Sequence, residues 1–304
     1  MGNRLIIGVL VIIFGCGTNQ EKVRDSSKLN IVATTGMIGD AIANIVQDSA
    51  VVTSLMGPGV DPHLYKATQG DLQKLTSADV IFYNGLYLEG KMGEVLEKLG
   101  RVKPVIAIAE KVDANRLRKA EEYNDSYDPH IWFDVSLWQE AVQVASGELQ
   151  KRDPDNAAFY AQNTEGFQAQ LDSLHQWVKK EINVIPKSQR VLITAHDAFG
   201  YFGHAYDIEV KGLQGISTLS EYGLRDVANL VNYITDRKIK SVFVETSVSK
   251  KAINAVVQGC IDKGFEVSIG GNLYSDAMGP QNTPEGAYIG MVESNVRTIV
   301  DALK

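Results

Sequence analysis

Short apolar runs alternate with longer amphipathic stretches along most of the chain. Residues 29–34, 51–55, 80–83 and 105–108 have the length and β-branched content of buried strands. Between and after them, apolar residues recur every three or four positions, as at Ile38, Ile42 and Ile45. This spacing predicts helices from Gly36 to Val46, over 69–77 and over 135–151. Strands that alternate with helices imply βαβ units and a mostly parallel sheet. The pattern repeats after residue 190, with strands over 191–194, 209–213, 241–245 and 266–269 and helices over 224–235, 250–263 and 285–303.

One element breaks the alternation. Asp153-Pro154 is a helix start, and Phe167, Leu171, Leu174, Val178 and Ile182 then form one apolar stripe up to the stop at Ile185-Pro186. A helix of that length makes a rod of roughly 45 Å. The alternative is two shorter helices broken near Thr164-Glu165-Gly166. The expected architecture is α/β: two α/β domains with mostly parallel sheets, at 29–152 and 186–304, joined by one long rigid helix at 153–185.

Residues 1–28 stand apart. The apolar run from Leu5 to Phe14 is too short to span a bilayer and has the form of an export signal. It ends in Ile13-Phe14-Gly15-Cys16, which resembles a bacterial lipoprotein signal, although Phe14 is larger than the pattern usually allows. Cys16 is therefore the expected lipidation site and first mature residue, followed by a polar tether to Lys28. Cys260 is the other cysteine. With Cys16 lipidated, an internal disulfide is impossible, and Cys260 reads as a small buried hydrophobe. A chain of 304 residues, 44% hydrophobic, can bury large cores. Its formal charge of −7 argues against nucleic acid as the main partner.

The chain has five histidines, and two lie in identical tripeptides, Asp61-Pro62-His63 and Asp128-Pro129-His130. Proline stiffens the turn and keeps the preceding residue out of a helix. A single Asp-Pro-His is an ordinary turn, but a pair suggests two parts of one site. His196 follows the strand over 191–194, and Asp276 lies in the glycine-rich segment after the strand over 266–269. All four are expected in loops, and three of those loops directly follow a strand; open α/β sheets bind ligands outside the carboxyl ends of their strands. Two belong to each block. Three imidazoles and one carboxylate are a competent tetrahedral set for a divalent metal.

These segments carry a specific resemblance. Gly59-Val60-Asp61-Pro62-His63, Asp128-Pro129-His130-Ile131-Trp132, Thr194-Ala195-His196-Asp197-Ala198-Phe199-Gly200-Tyr201-Phe202 and Tyr274-Ser275-Asp276-Ala277 occur in the order and spacing of the substrate-binding proteins of bacterial zinc/manganese ABC transporters, the ZnuA-, TroA- and PsaA-like family. The resemblance covers residues 29–304. It implies two α/β domains joined by a long helix, with zinc or manganese between them on His63, His130, His196 and Asp276. It also implies an extracytoplasmic, lipid-anchored monomer that delivers the ion to an ABC-transporter permease and is not an enzyme. Some manganese-dedicated members place glutamate where this chain has His196. Zinc-dedicated members often carry a histidine-rich loop, and the loop over 110–127 has no histidine. The chain is most similar to the mixed-specificity, TroA-like branch.

The remaining candidates read more blandly. His175 is a partly exposed residue of the long helix, and His204 a weak candidate for a supporting group. Asp197 is expected to point away from the ligands, and Glu221 lies somewhere near the cleft. Trp132, Phe199, Tyr201 and Phe202 are expected to wall the cleft against water. The rival functions are a zinc hydrolase and an adhesin or structural lipoprotein with an architectural metal. No His-Glu-x-x-His motif supports the hydrolase.

Overall fold

A computed structural model describes residues 28–120 and 126–304; the expected signal, Cys16 and most of the tether lie outside the described residues. The amino-terminal lobe holds a parallel four-stranded sheet in the order β2-β1-β3-β4, from β1 Asn30–Ala33, β2 Val51–Ser54, β3 Val80–Tyr83 and β4 Val105–Ala107. Ile31 pairs with Val52 on one side and Val80 on the other. Helices α1 Gly36–Val46, α2 Gln69–Ser77 and α3 Gly93–Gly100 connect these strands, and α4 Val135–Arg152 follows them. Thr68 caps α2 by accepting the Asp71 N–H, and the Asp71 carboxylate accepts the Thr68 N–H in return.

The long helix α5, Ala157–Ile182, runs for 26 residues without a break at Gly166, roughly 39 Å. Pro154 opens a separate 3-10 turn just before it. Asp153 does not cap the helix through its side chain; its carboxylate accepts the Tyr160 hydroxyl at 2.6 Å and the Asn156 amide at 2.9 Å. The stripe from Phe167 to Ile182 is buried as its spacing requires, and Tyr160 and Thr164 extend it toward the amino terminus.

The carboxy-terminal lobe contains two parallel pairs, β5 Val191–His196 with β6 Glu209–Gln214, and β7 Ser241–Glu245 with β8 Ser268–Leu273. β5 and β7 lie side by side. Helices α6 Gly200–Tyr206, α7 Leu224–Arg237, α8 Lys251–Asp262 and α9 Tyr288–Leu303 complete it. Cys260 is fully buried on α8. The largest apolar core is continuous across both lobes: it joins Ile31, Ile42 and Trp138 to the α5 stripe and on to Leu192, Phe243 and Met291. Smaller cores lie under α2 and α3 in one lobe and between α7 and α8 in the other.

Two helices escape the pattern-based reading, α3 and α6. Each spans eight residues or fewer, too short for a periodic signal to stand out. The strand expected over 266–269 is displaced to 268–273. Gly270 and Gly271 there look like a turn in sequence, but Gly270 forms a bulge and Gly271 pairs with Phe243. A Cβ on Gly270 would sit 3.0 Å from the Phe243 ring, and one on Gly271 2.3 Å from Thr298. Close packing explains these glycines.

Candidate metal centre

Each sequence-nominated residue reaches the cleft by a local device. In both Asp-Pro-His turns the aspartate accepts the backbone N–H of its own histidine, at 2.9 Å for Asp61 and His63 and 3.0 Å for Asp128 and His130. Asn84 donates to the Pro129 carbonyl at 3.0 Å and fixes the second turn from β3. Asn84 is itself held by the buried Glu89, whose carboxylate accepts its N–H at 2.7 Å. His196 is the last residue of β5, not a loop residue as expected. It pairs with Gln214, so the strand outlasts its purely apolar part by two residues. Asp276 follows β8 in a loop tied to the opposite lobe, where the Trp132 indole N–H donates to the Ser275 carbonyl at 3.0 Å.

The structure brings His63, His130, His196 and Asp276 together. Each is at most 2% exposed, and one ligand-type atom from each lies within 4.8 Å of the others. His63 Nε2 is 3.3 Å from His130 Nε2. The Asp276 carboxylate stands 3.6 Å from His63 Nε2, 3.4 Å from His130 Nε2 and 3.2 Å from His196 Nε2. Four donors held tetrahedrally at ~2.0–2.1 Å from one ion would stand about 3.3–3.4 Å apart. His196 Nε2 and both Asp276 oxygens make no hydrogen bond within the protein, although they are buried. Buried polar atoms without partners are costly, and a cation at the centre would satisfy all three. The residues fit a metal.

The electrostatics are uneven. Burial pushes the His63 imidazole down to about 3, against the pull of Asp276 and helped by the other two imidazoles. Burial also opposes charge on His196, but Glu245 and Asp276 outweigh it and raise its pKa well above the usual value. Asp276 is buried too, yet the imidazoles hold it well below the ordinary carboxylate range. Ligating imidazoles must be neutral, so a metal here competes with protons.

Several supporting residues were not singled out from sequence. Asp128 Oδ1 lies 2.7 Å from His130 Nδ1. Glu245, at the end of β7, places Oε2 2.5 Å from His196 Nδ1. Asp61 turns its second oxygen to Thr218 of the other lobe, which donates at 2.7 Å. The available signal for Glu245 was a lone carboxylate at the carboxyl end of a short strand with an apolar centre. Trp132 stands with its ring 5.2 Å from His130, and Phe199 stacks on Phe133 at 4.2 Å, as expected of walls. Tyr201 does more, because its hydroxyl donates to the Asp128 carbonyl at 2.9 Å. His204 and Glu221 are exposed and take no part. His175 is half-buried beside the Tyr206 hydroxyl, 3.0 Å away.

Residues 31–302 match the model of the family described as zinc-uptake complex component A, periplasmic. The chain belongs to this family. It is 51% identical over 307 aligned positions to the manganese-binding lipoprotein MntA of Bacillus subtilis (strain 168), covering all of both chains. The solved structure of the periplasmic zinc-binding protein TroA from Treponema pallidum superposes with a TM-score of 0.89 at 46% identity, over 91% of this chain and 99% of that one. The manganese ABC transporter substrate-binding lipoprotein PsaA of Streptococcus pneumoniae serotype 4 is 28% identical over 300 positions, covering 96% of this chain and 95% of its own. Family and fold thus agree with the resemblance drawn from the motifs.

Proposed function

We propose that this protein captures a divalent transition metal, zinc or manganese, on His63, His130, His196 and Asp276 and delivers it to an ABC-transporter permease. The convergence of four buried ligand-type atoms at tetrahedral spacing carries the reading. Relatives named for manganese and for zinc stand at comparable identity, which supports a site that takes both. Four protein donors leave no open coordination position, whereas a catalytic zinc keeps one for water; this favours transport over hydrolysis. Residues 29–152 and 186–304 are taken as the two metal-binding domains and 153–185 as their link. Cys16 is taken as the lipid anchor of an extracytoplasmic monomer, a reading that the lipoprotein relatives support. Among the described residues no helix is long and apolar enough to cross a membrane. Isothermal titration of the metal-free protein with zinc and with manganese tests the central claim. One tight site per chain is expected for at least one metal; binding of neither would refute it.

A further inference from the structure

Asp276 is the one carboxylate among the four donors, and a single carboxylate facing a dication leaves a positive site. Glu245 alters that balance. It is 1% exposed, and its Oε1 accepts the backbone N–H of Ala195 at 2.8 Å and of His196 at 2.9 Å. The carboxylate therefore cannot turn away, and its Oε2 faces His196 Nδ1 at 2.5 Å, on the side of the ring opposite Asp276. Among the described residues, His196 is the one basic group within ion-pair distance of Glu245. Asp128 stands behind His130 in a similar way, but the Arg118 guanidinium approaches it at 3.8 Å and offsets its charge. His63 has no carboxylate beside its Nδ1. Of the two carboxylates that stand behind a ligating ring, Glu245 is the one with no cation other than that ring beside it.

We propose that Glu245 is a specificity-determining residue of this site. Acting through His196, it lends the cage a second negative charge and lets a three-histidine site hold manganese as well as zinc. This rests on the metal-binding reading above. Glu245 Oε2 and His196 Nδ1 stand at ion-pair distance but make no hydrogen bond, so the support is electrostatic: a carboxylate behind a ligating imidazole strengthens its metal-facing nitrogen. Nitrogen donors already favour zinc over manganese. Manganese gains less from donor softness and depends more on charge, and charge acts strongly where water is excluded. Removing the Glu245 charge therefore costs manganese more than zinc.

The test is titration of zinc and manganese into wild-type protein, Glu245→Gln and Asp128→Asn. Glutamine keeps the shape and leaves an oxygen for the two backbone N–H groups. Glu245→Gln is expected to weaken manganese about 10–100-fold and zinc by less, which moves the preference toward zinc. Asp128→Asn is expected to leave that preference nearly unchanged. Equal losses for both metals in Glu245→Gln, or no loss, would overturn the proposal. Failure of the wild type to bind either metal would instead refute the proposed function. Should Glu245→Gln not fold, Glu245→Asp decides: drawing the charge back from His196 is expected to weaken manganese more than zinc, and equal losses, or none, overturn the proposal.

Discussion

Asp61-Pro62-His63 and Asp128-Pro129-His130 are the same three residues doing the same local work and different distant work. Both turns close on a hydrogen bond from the histidine N–H to the aspartate. In the second, Asp128 also reaches its own histidine's Nδ1, and Asn84 and Tyr201 brace the backbone on either side. In the first, Asp61 leaves the ring alone and joins Thr218 across the cleft. His63 also borders an apolar cavity of about 340 Å³ between Tyr87, Tyr127 and Leu219, which His130 does not. One turn is a fixed ligand platform. The other is a ligand combined with an inter-lobe fastening.

Deleting each ligand should break this comparison most visibly. A metal site worth about 10–16 kcal/mol shared over four ligands gives about 3–4 kcal/mol each, or roughly 100- to 1000-fold in affinity. His63→Ala and His130→Ala should both lose that much by titration calorimetry. They should differ in the metal-free protein, where His130→Ala strands the buried Asp128 carboxylate and lowers stability by about 1–3 kcal/mol, while His63→Ala does not. Equal thermal stability of the two variants would show that Asp128 does not hold His130.

Exchanging the aspartates sharpens the contrast. Asp128→Asn should weaken metal binding about 10–100-fold, as loss of an outer-shell carboxylate does. Asp61→Asn keeps an oxygen for the His63 N–H and should cost less than that in the same titration. The reverse order would assign the supporting role to the wrong turn.

Acid should report on the first turn. His63 stays neutral in the folded, metal-free protein down to about 3, whereas an unfolded histidine protonates near 6.5. Between those values the unfolded chain binds the extra proton, so stability falls as pH falls, by no more than about 1.4 kcal/mol per pH unit. Urea unfolding across this window should show a shallower pH slope for His63→Asn than for wild type. An unchanged slope would place the acid sensitivity elsewhere.

The smallest effect tests the fastening. Thr218→Val removes the hydroxyl that Asp61 accepts. It should cost about 1 kcal/mol, roughly fivefold in metal affinity, mostly as faster release into a chelator under stopped flow. Release no faster than wild type would mean that this bond does not hold the lobes together.

Much of this was legible in the chain. The short apolar runs of the strands, the 3.6-residue period of the helices, the α5 stripe from Phe167 to Ile182 and the proline-stiffened turns are local properties, and local sterics and burial set them. The four candidate ligands could be named because two histidines lie in repeated Asp-Pro-His turns, His196 and Asp276 follow apolar strands, and all four sit in motifs that occur in one order. Short helices such as α3 and α6 were lost because a few residues do not establish a period, and β8 was placed two residues early because glycines chosen for close packing mimic a turn. What tertiary structure alone decided is the pairing at a distance. Glu245 meets His196, 49 residues earlier, and Thr218 meets Asp61, 157 residues earlier. Nothing in the neighbourhood of either residue marks its partner. The first contact exists because β5 and β7 lie side by side, and the second because the core continuous across both lobes brings the carboxy-terminal lobe against the first turn. They determine which imidazoles are held and how much negative charge an ion meets.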